Sequence, residues 1–181
     1  LFFCRLFPVL AVLLAAPPLP ATQMIPLSLA ELTARAELVL RGTVTSKTCL
    51  RDDAGRIYTR VELNVTEIWK GTLATNRFTL VHGGGVLGGQ RAEVGGQADY
   101  QPGAEVVAFL VINPRGEGVS LGLSQGKFDL WSDAATGEKM ARNLFHGGPP
   151  RGAAAARGIS PAGGGGLTAA ELKRRVQNTT R

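Results

Sequence analysis

The sequence predicts a mainly β protein, an OB-like barrel of five or six antiparallel strands in Greek-key order with short flanking helices. Three observations point there. Ile57, Thr59, Val61, Leu63 and Val65 alternate with Tyr58, Arg60, Glu62, Asn64 and Thr66, the period of two of a half-buried strand. Residues 105–112, Glu-Val-Val-Ala-Phe-Leu-Val-Ile, are apolar almost without interruption, the mark of a central strand buried on both faces. No long helical pattern separates the strand-like runs, which disfavours a parallel sheet with crossover helices.

The elements follow in chain order. Arg5, an apolar run over 6–16 and the breakers Pro17, Pro18 and Pro20 before Ala21 read as a secretory signal over 1–21, so export to the periplasm or medium is the expectation. The run is shorter than the roughly 20 apolar residues that span a bilayer. The barrel domain is assigned to 22–146. Ser28 and Glu31 have capping-box spacing, and Leu29, Leu32 and Ala36 share one face of a short helix ending near Glu37. Residues 38–45 are rich in β-branched side chains around Gly42, predicting a strand that bends where the glycine admits another backbone. Asp52, Asp53, Ala54 and Gly55 supply hairpin-turn chemistry.

In the alternating strand the apolar phase slips at Glu67, with Ile68 and Trp69 one step out, which predicts a β-bulge or a strand end. Residues 77–82 read as a third strand, and 119–121 and 127–131 complete the set around turns at Pro102-Gly103 and Asn113-Pro114-Arg115-Gly116. Residues 147–166, mostly Gly, Ala, Pro and Arg, read as a disordered linker. Over 167–181, Thr168 and Glu171 make a second capping-box pattern, and Leu167, Leu172 and Val176 give a short helix a thin apolar stripe. That helix either docks on the barrel or stays free.

The 181 residues carry a formal charge of +6, unevenly placed. Residues 22–142 hold 13 Lys/Arg against 13 Asp/Glu, while 143–181 hold 6 basic residues against Glu171 alone, and Arg5 supplies the remaining +1. A neutral body with a basic tail argues against a nucleic-acid-binding face. Cleavage after Ala21 removes Cys4 and leaves Cys49 unpaired, so packing rather than a disulfide must hold the fold.

The patterns that suggest chemistry weaken in context. Residues 83–89, Gly-Gly-Gly-Val-Leu-Gly-Gly, satisfy G-x-G-x-x-G after a strand, yet Gly95-Gly96 arrives before a helix could open to receive a pyrophosphate. Gln90-Arg91 stands where a phosphate loop needs Lys and Ser/Thr. A flexible or bulged connection is the reading. His82 and His146 are far apart in sequence, and a relay of Ser124 or Ser120 with His82 and Asp99 lacks any nucleophile-elbow pattern. No spacing of ligands suggests a metal. Trp69, Tyr58, Phe78 and Tyr100 are read as core and rim rather than a stacking platform.

Three stretches carry a family likeness: Ala36-Glu-Leu-Val-Leu-Arg-Gly-Thr-Val; Thr59-Arg-Val-Glu-Leu-Asn-Val-Thr-Glu-Ile-Trp-Lys-Gly; and Tyr100-Gln-Pro-Gly-Ala-Glu-Val-Val-Ala-Phe-Leu with Gly122-Leu-Ser-Gln-Gly-Lys-Phe. Over residues 28–145 the chain resembles uncharacterised exported bacterial proteins. These are similar in plan to netrin-like domains, the OB-type barrels of tissue inhibitors of metalloproteinases. Those inhibitors reach their enzyme's zinc through a mature N-terminal Cys and are braced by disulfides; this chain offers Thr22-Gln23-Met24 and a lone Cys49 there. The resemblance therefore implies a fold and no catalytic residue.

A non-enzymatic exported binding or accessory module ranks first, a barrel binding oligosaccharide or single-stranded nucleic acid second, and a hydrolase third. No catalytic residue, metal or cofactor is assigned. The partner is expected to be an extracytoplasmic protein or a glycan rather than nucleic acid, bound by a monomer with no membrane span. The candidate contact surface is the loop 83–96, above all Gly83, Gly84, Gly85, Val86, Leu87, Gly88, Gly89, Gln90 and Arg91, since loops on rigid barrels commonly carry recognition.

Overall fold

The computed structural model describes residues 24–147 and 166–180, so the signal assigned to 1–21 and all but the ends of the linker assigned to 147–166 lie outside the described residues. Among the described residues two α-helices, α1 (Leu29–Arg35) and α2 (Ala169–Thr179), and a 3-10 turn over Leu123–Gly126 accompany nine strands. These are β1 (Leu38–Arg51), β2 (Ile57–Lys70), β3 (Arg77–Gly83), β4 (Gly85–Leu87), β5 (Gln90–Ala92), β6 (Glu105–Ile112), β7 (Gly118–Ser120), β8 (Lys127–Ser132) and β9 (Lys139–Arg142).

Five strands close a barrel in the order β1-β2-β3-β7-β6, with β6 returning to β1. Every pairing in it is antiparallel except the closing one, where β3 meets β7 through the single parallel bridge Leu80↔Gly118. This is the OB-like plan the strand pattern predicts. On the side away from β1, β6 pairs with β8 through residues 106–108 and with β7 through residues 110–112, so the β8–β9 hairpin extends the sheet beyond the barrel.

The apolar run of β6 is buried on both faces because it separates two cores. Val106, Ala108 and Leu110 point into the barrel with Leu40, Val44, Val61, Leu63, Phe78, Leu80 and Tyr100. Val107 and Phe109 point outward with Leu32, Val39, Trp69, Phe128, Leu172 and Val176. Removing each such side chain from water contributes about 1.5–3 kcal/mol.

Local sequence explains the bends. A Cβ on Gly42 would lie 2.6 Å from the Asn64 carbonyl oxygen, so the predicted close approach is real and only glycine permits it. The β1–β2 register shifts between Arg41 and Gly42 and again between Val39 and Leu40, flanking Glu67 and Ile68, which is the predicted bulge. Across it β2 changes allegiance. Val65 packs on the barrel interior, whereas Trp69 joins the outer core and Ile68 is left 40% exposed.

Both helices cover the outer core. At the head of α1 the Ser28 hydroxyl accepts from the Glu31 N–H and the Glu31 carboxylate accepts from the Ser28 N–H, the full capping box. α2 docks. Its stripe of Leu167, Leu172 and Val176 is buried in the outer core, and Lys173 reaches Glu67 at 2.7 Å. At its start, Thr168 Oγ1 accepts from Glu171 N–H, while the Glu171 carboxylate pairs with Arg174 and Arg175.

Candidate functional site

The glycine-rich stretch, expected as a flexible or bulged connection, forms a paired hairpin instead. β4 and β5 pair through Gly85↔Ala92, Val86↔Arg91 and Leu87↔Gln90, leaving Gly88-Gly89 as a two-residue turn with φ of 57° and 78°. Two residues with positive φ match the right-handed twist of a hairpin, and a Gly-Gly pair between two short runs is the signal that reveals it. The glycines before the turn serve close contact as well as backbone freedom, Gly84 and Gly85 having φ of 82° and 141°. A Cβ on Gly85 would stand 2.6 Å from Cys49 Sγ and 2.7 Å from Thr59 Oγ1, and Thr59 donates its buried hydroxyl to the Gly84 carbonyl at 2.7 Å. The hairpin is thus seated directly on β1 and β2.

With the β1–β2 turn, the end of β3 and the β6–β7 turn, this hairpin walls a cleft of about 870 Å³. Of the named loop residues, Gly83, Gly84, Gln90 and Arg91 line it, while Val86 stands out from the hairpin 58% exposed. Ile57, Tyr58, Val81, Val94 and Val119 give the cleft an apolar lining. Its rim is basic: Arg51, Arg56, Arg91 and Arg115 line it against the carboxylates of Asp52 and Glu117.

Those four guanidiniums are not equivalent. Arg56 pairs with Asp52 at 2.8 Å and Arg91 with Glu93 at 2.6 Å. Arg51 donates only to neutral oxygens, the Gly55 carbonyl at 2.7 Å and Gln90 Oε1 at 2.6 Å, thereby tying the first turn to the hairpin. The Arg115 guanidinium has no hydrogen-bond or ion-pair partner among the described residues; its turn is built by Asn113 Oδ1, which accepts from the Arg115 and Glu117 N–H groups. Sequence reasoning named Arg91 and missed Arg51, Arg56 and Arg115, which converge only when three turns come together in space.

His82 also lines the cleft, half-buried, with Nδ1 3.0 Å from the Gly83 carbonyl oxygen and with Nε2 buried without a partner among the described residues. Burial pushes its pKa below the usual imidazole range and keeps the ring neutral. The serine–histidine relay weighed from the sequence is not assembled. Ser120 Oγ is 2.6 Å from Tyr100 Oη, Asp99 pairs with Lys47 at 2.7 Å, and neither hydrogen-bonds His82. Among the described residues no group of three or more His, Cys, Asp and Glu is placed to hold a metal ion.

Of the four aromatics weighed as a stacking platform, Trp69, Phe78 and Tyr100 are buried and only Tyr58 reaches the cleft. No helix among the described residues is long and apolar enough to cross a membrane. No family model and no curated protein matches the chain.

Proposed function

We propose that this chain is an exported, non-enzymatic binding module of netrin-like plan that takes a protein partner at the arginine-rimmed end of its barrel. One observation carries the reading: an ordered hairpin and two tight turns, all held by the closed barrel, converge on an open cleft with an apolar lining and a basic rim. Preformed concavities of this kind, with a few placed polar groups, are where binding concentrates. A module bearing its contact surface on rigid turns loses little conformational entropy on binding.

The oligosaccharide or single-strand reading needs aromatic faces presented side by side, and the burial of Trp69, Phe78 and Tyr100 leaves Tyr58 alone of the four. A hydrolase needs a nucleophile in reach of a base, and His82 has only a backbone oxygen. The test is capture from envelope and culture medium with the purified chain, read by mass spectrometry against a variant whose β4–β5 hairpin is cut to a minimal turn. A saturable protein partner, lost with the hairpin, is the expected result. A partner retained by the hairpin-deleted variant would move the contact surface elsewhere.

A further inference from the structure

The chemistry of the partner segment can be read from the same cleft, and this step rests on the binding reading above. We infer that the occupant is an acidic polypeptide segment that lies in the cleft beside the end of β3 and places carboxylates on Arg51 and Arg115.

The lining comes first. β3 is held along its length by β2 and meets β7 through the bridge Leu80↔Gly118 on its other side, and beyond that bridge Val81, His82 and Gly83 line the cleft. A polypeptide segment seated there passes beside these residues and between the turns that carry Arg51 and Arg115.

Charge then selects the newcomer. Arg56 and Arg91 already have carboxylate partners, whereas Arg51 meets neutral oxygens and Arg115 meets none among the described residues. A guanidinium without a counter-charge offers its planar fork to a carboxylate as a bidentate pair. The two arise from different turns that line one cleft, so a segment lying along it can engage both. Val81, Val94 and Val119 between them suit apolar residues interleaved with the acids. Nucleobases and sugars are disfavoured by the same lining, which presents no Phe or Trp and a single Tyr, Tyr58.

The test uses the full chain and nuclear magnetic resonance titration with a short peptide alternating Glu and Val, beside its Gln-for-Glu counterpart, an oligothymidylate and a uronic-acid oligosaccharide. Saturable shifts of the residue 81–83 and Arg115 amides by the Glu peptide, weakening as salt rises, are expected. The Gln peptide should leave them unmoved. Arg51→Gln/Arg115→Gln should lose on the order of tenfold in affinity or more, while Arg77→Gln, outside the cleft, should lose none. Because Arg51 also anchors the hairpin, Arg115→Gln alone is the variant that leaves every intramolecular contact in place.

No saturable shift with the Glu peptide, unchanged affinity in Arg115→Gln, or tighter binding of the oligothymidylate or the oligosaccharide through these residues would overturn the inference. The two readings fail separately. A captured partner that depends on the hairpin but survives Arg51→Gln/Arg115→Gln sinks the acidic segment and leaves the binding module standing.

Discussion

The helix-covered flank of the barrel and its open end contain the same kinds of residue and use them in opposite ways. On the flank, Arg41 joins Glu67 at 2.7 Å and donates through Nε to Glu105 at 2.8 Å, while Lys139 takes Glu105 and Lys173 takes Glu67 at 2.7 Å each. The hydrogen bond from Lys173 holds the Glu67 carboxyl below its ordinary range. Burial would raise Glu105, but Lys139 and Arg41 outweigh it and hold that carboxyl low as well. Each of these five charges has an oppositely charged partner belonging to the fold. At the open end Arg51 and Arg115 have no counter-charge among the described residues, and Val86 and Val94 are 58% and 46% exposed. The contrast separates residues that stabilise this chain from residues left available to another.

The sharpest way to break this comparison is to truncate one apolar residue on each side. Phe109→Ala empties a fully buried site in the outer core and should cost about 3–5 kcal/mol, whereas Val86→Ala should change stability by no more than about 0.5 kcal/mol. Urea unfolding of both variants measures the gap. Similar losses would mean that the hairpin belongs to the folding core rather than to a recognition surface.

A smaller effect divides the two histidines. Burial lowers the pKa of His82 at the open end, and burial aided by Arg175 lowers that of His146, which packs edge-on against Phe128 on the covered flank. The unfolded chain binds protons that the folded chain refuses, so stability is full at neutral pH and above. It falls as pH drops below about 6.5 towards the folded values, and is level beneath them. Melting temperature against pH should show this slope in the native chain, and His82→Gln and His146→Gln should each flatten it in part. A slope unchanged in both variants would place the titrating groups elsewhere.

The smallest expected change is the most telling for the open end. Arg115→Gln removes a charge with no partner among the described residues and should leave stability within about 0.5 kcal/mol. A clear loss in urea unfolding would give Arg115 a structural part and weaken the contrast.

Much of the covered side was legible in the sequence, because period and capping are local signals. The alternation of β2, the twofold burial of β6, the Gly42 contact and the capping of α1 all follow from neighbours in the chain. The phase slip at Glu67 was readable too, although Ile68 proved to be the exposed member of the pair. The open end was far less so. β4 and β5 have three residues each, too short for periodicity to register. Of the three missed arginines, Arg51 and Arg56 flank one turn and Arg115 sits in another far along the chain, and nothing in a turn's own sequence says which other turn it will face.

The position of β6 between two cores sets a limit on how this chain can change over evolutionary time. Val106, Ala108 and Leu110 fill the barrel and Val107 and Phe109 fill the layer beneath the helices, with the small Ala108 inside beside the bulky Phe109 outside. Substitutions can therefore be tried on one face at a time, each compensated by neighbours in its own core. A one-residue insertion or deletion within the strand has no such escape, since it exchanges the two sets at a stroke and misfits both layers together. Variation in length among descendants of this sequence is expected to collect in the hairpin and the turns around the cleft, the part of the molecule left free to meet new partners.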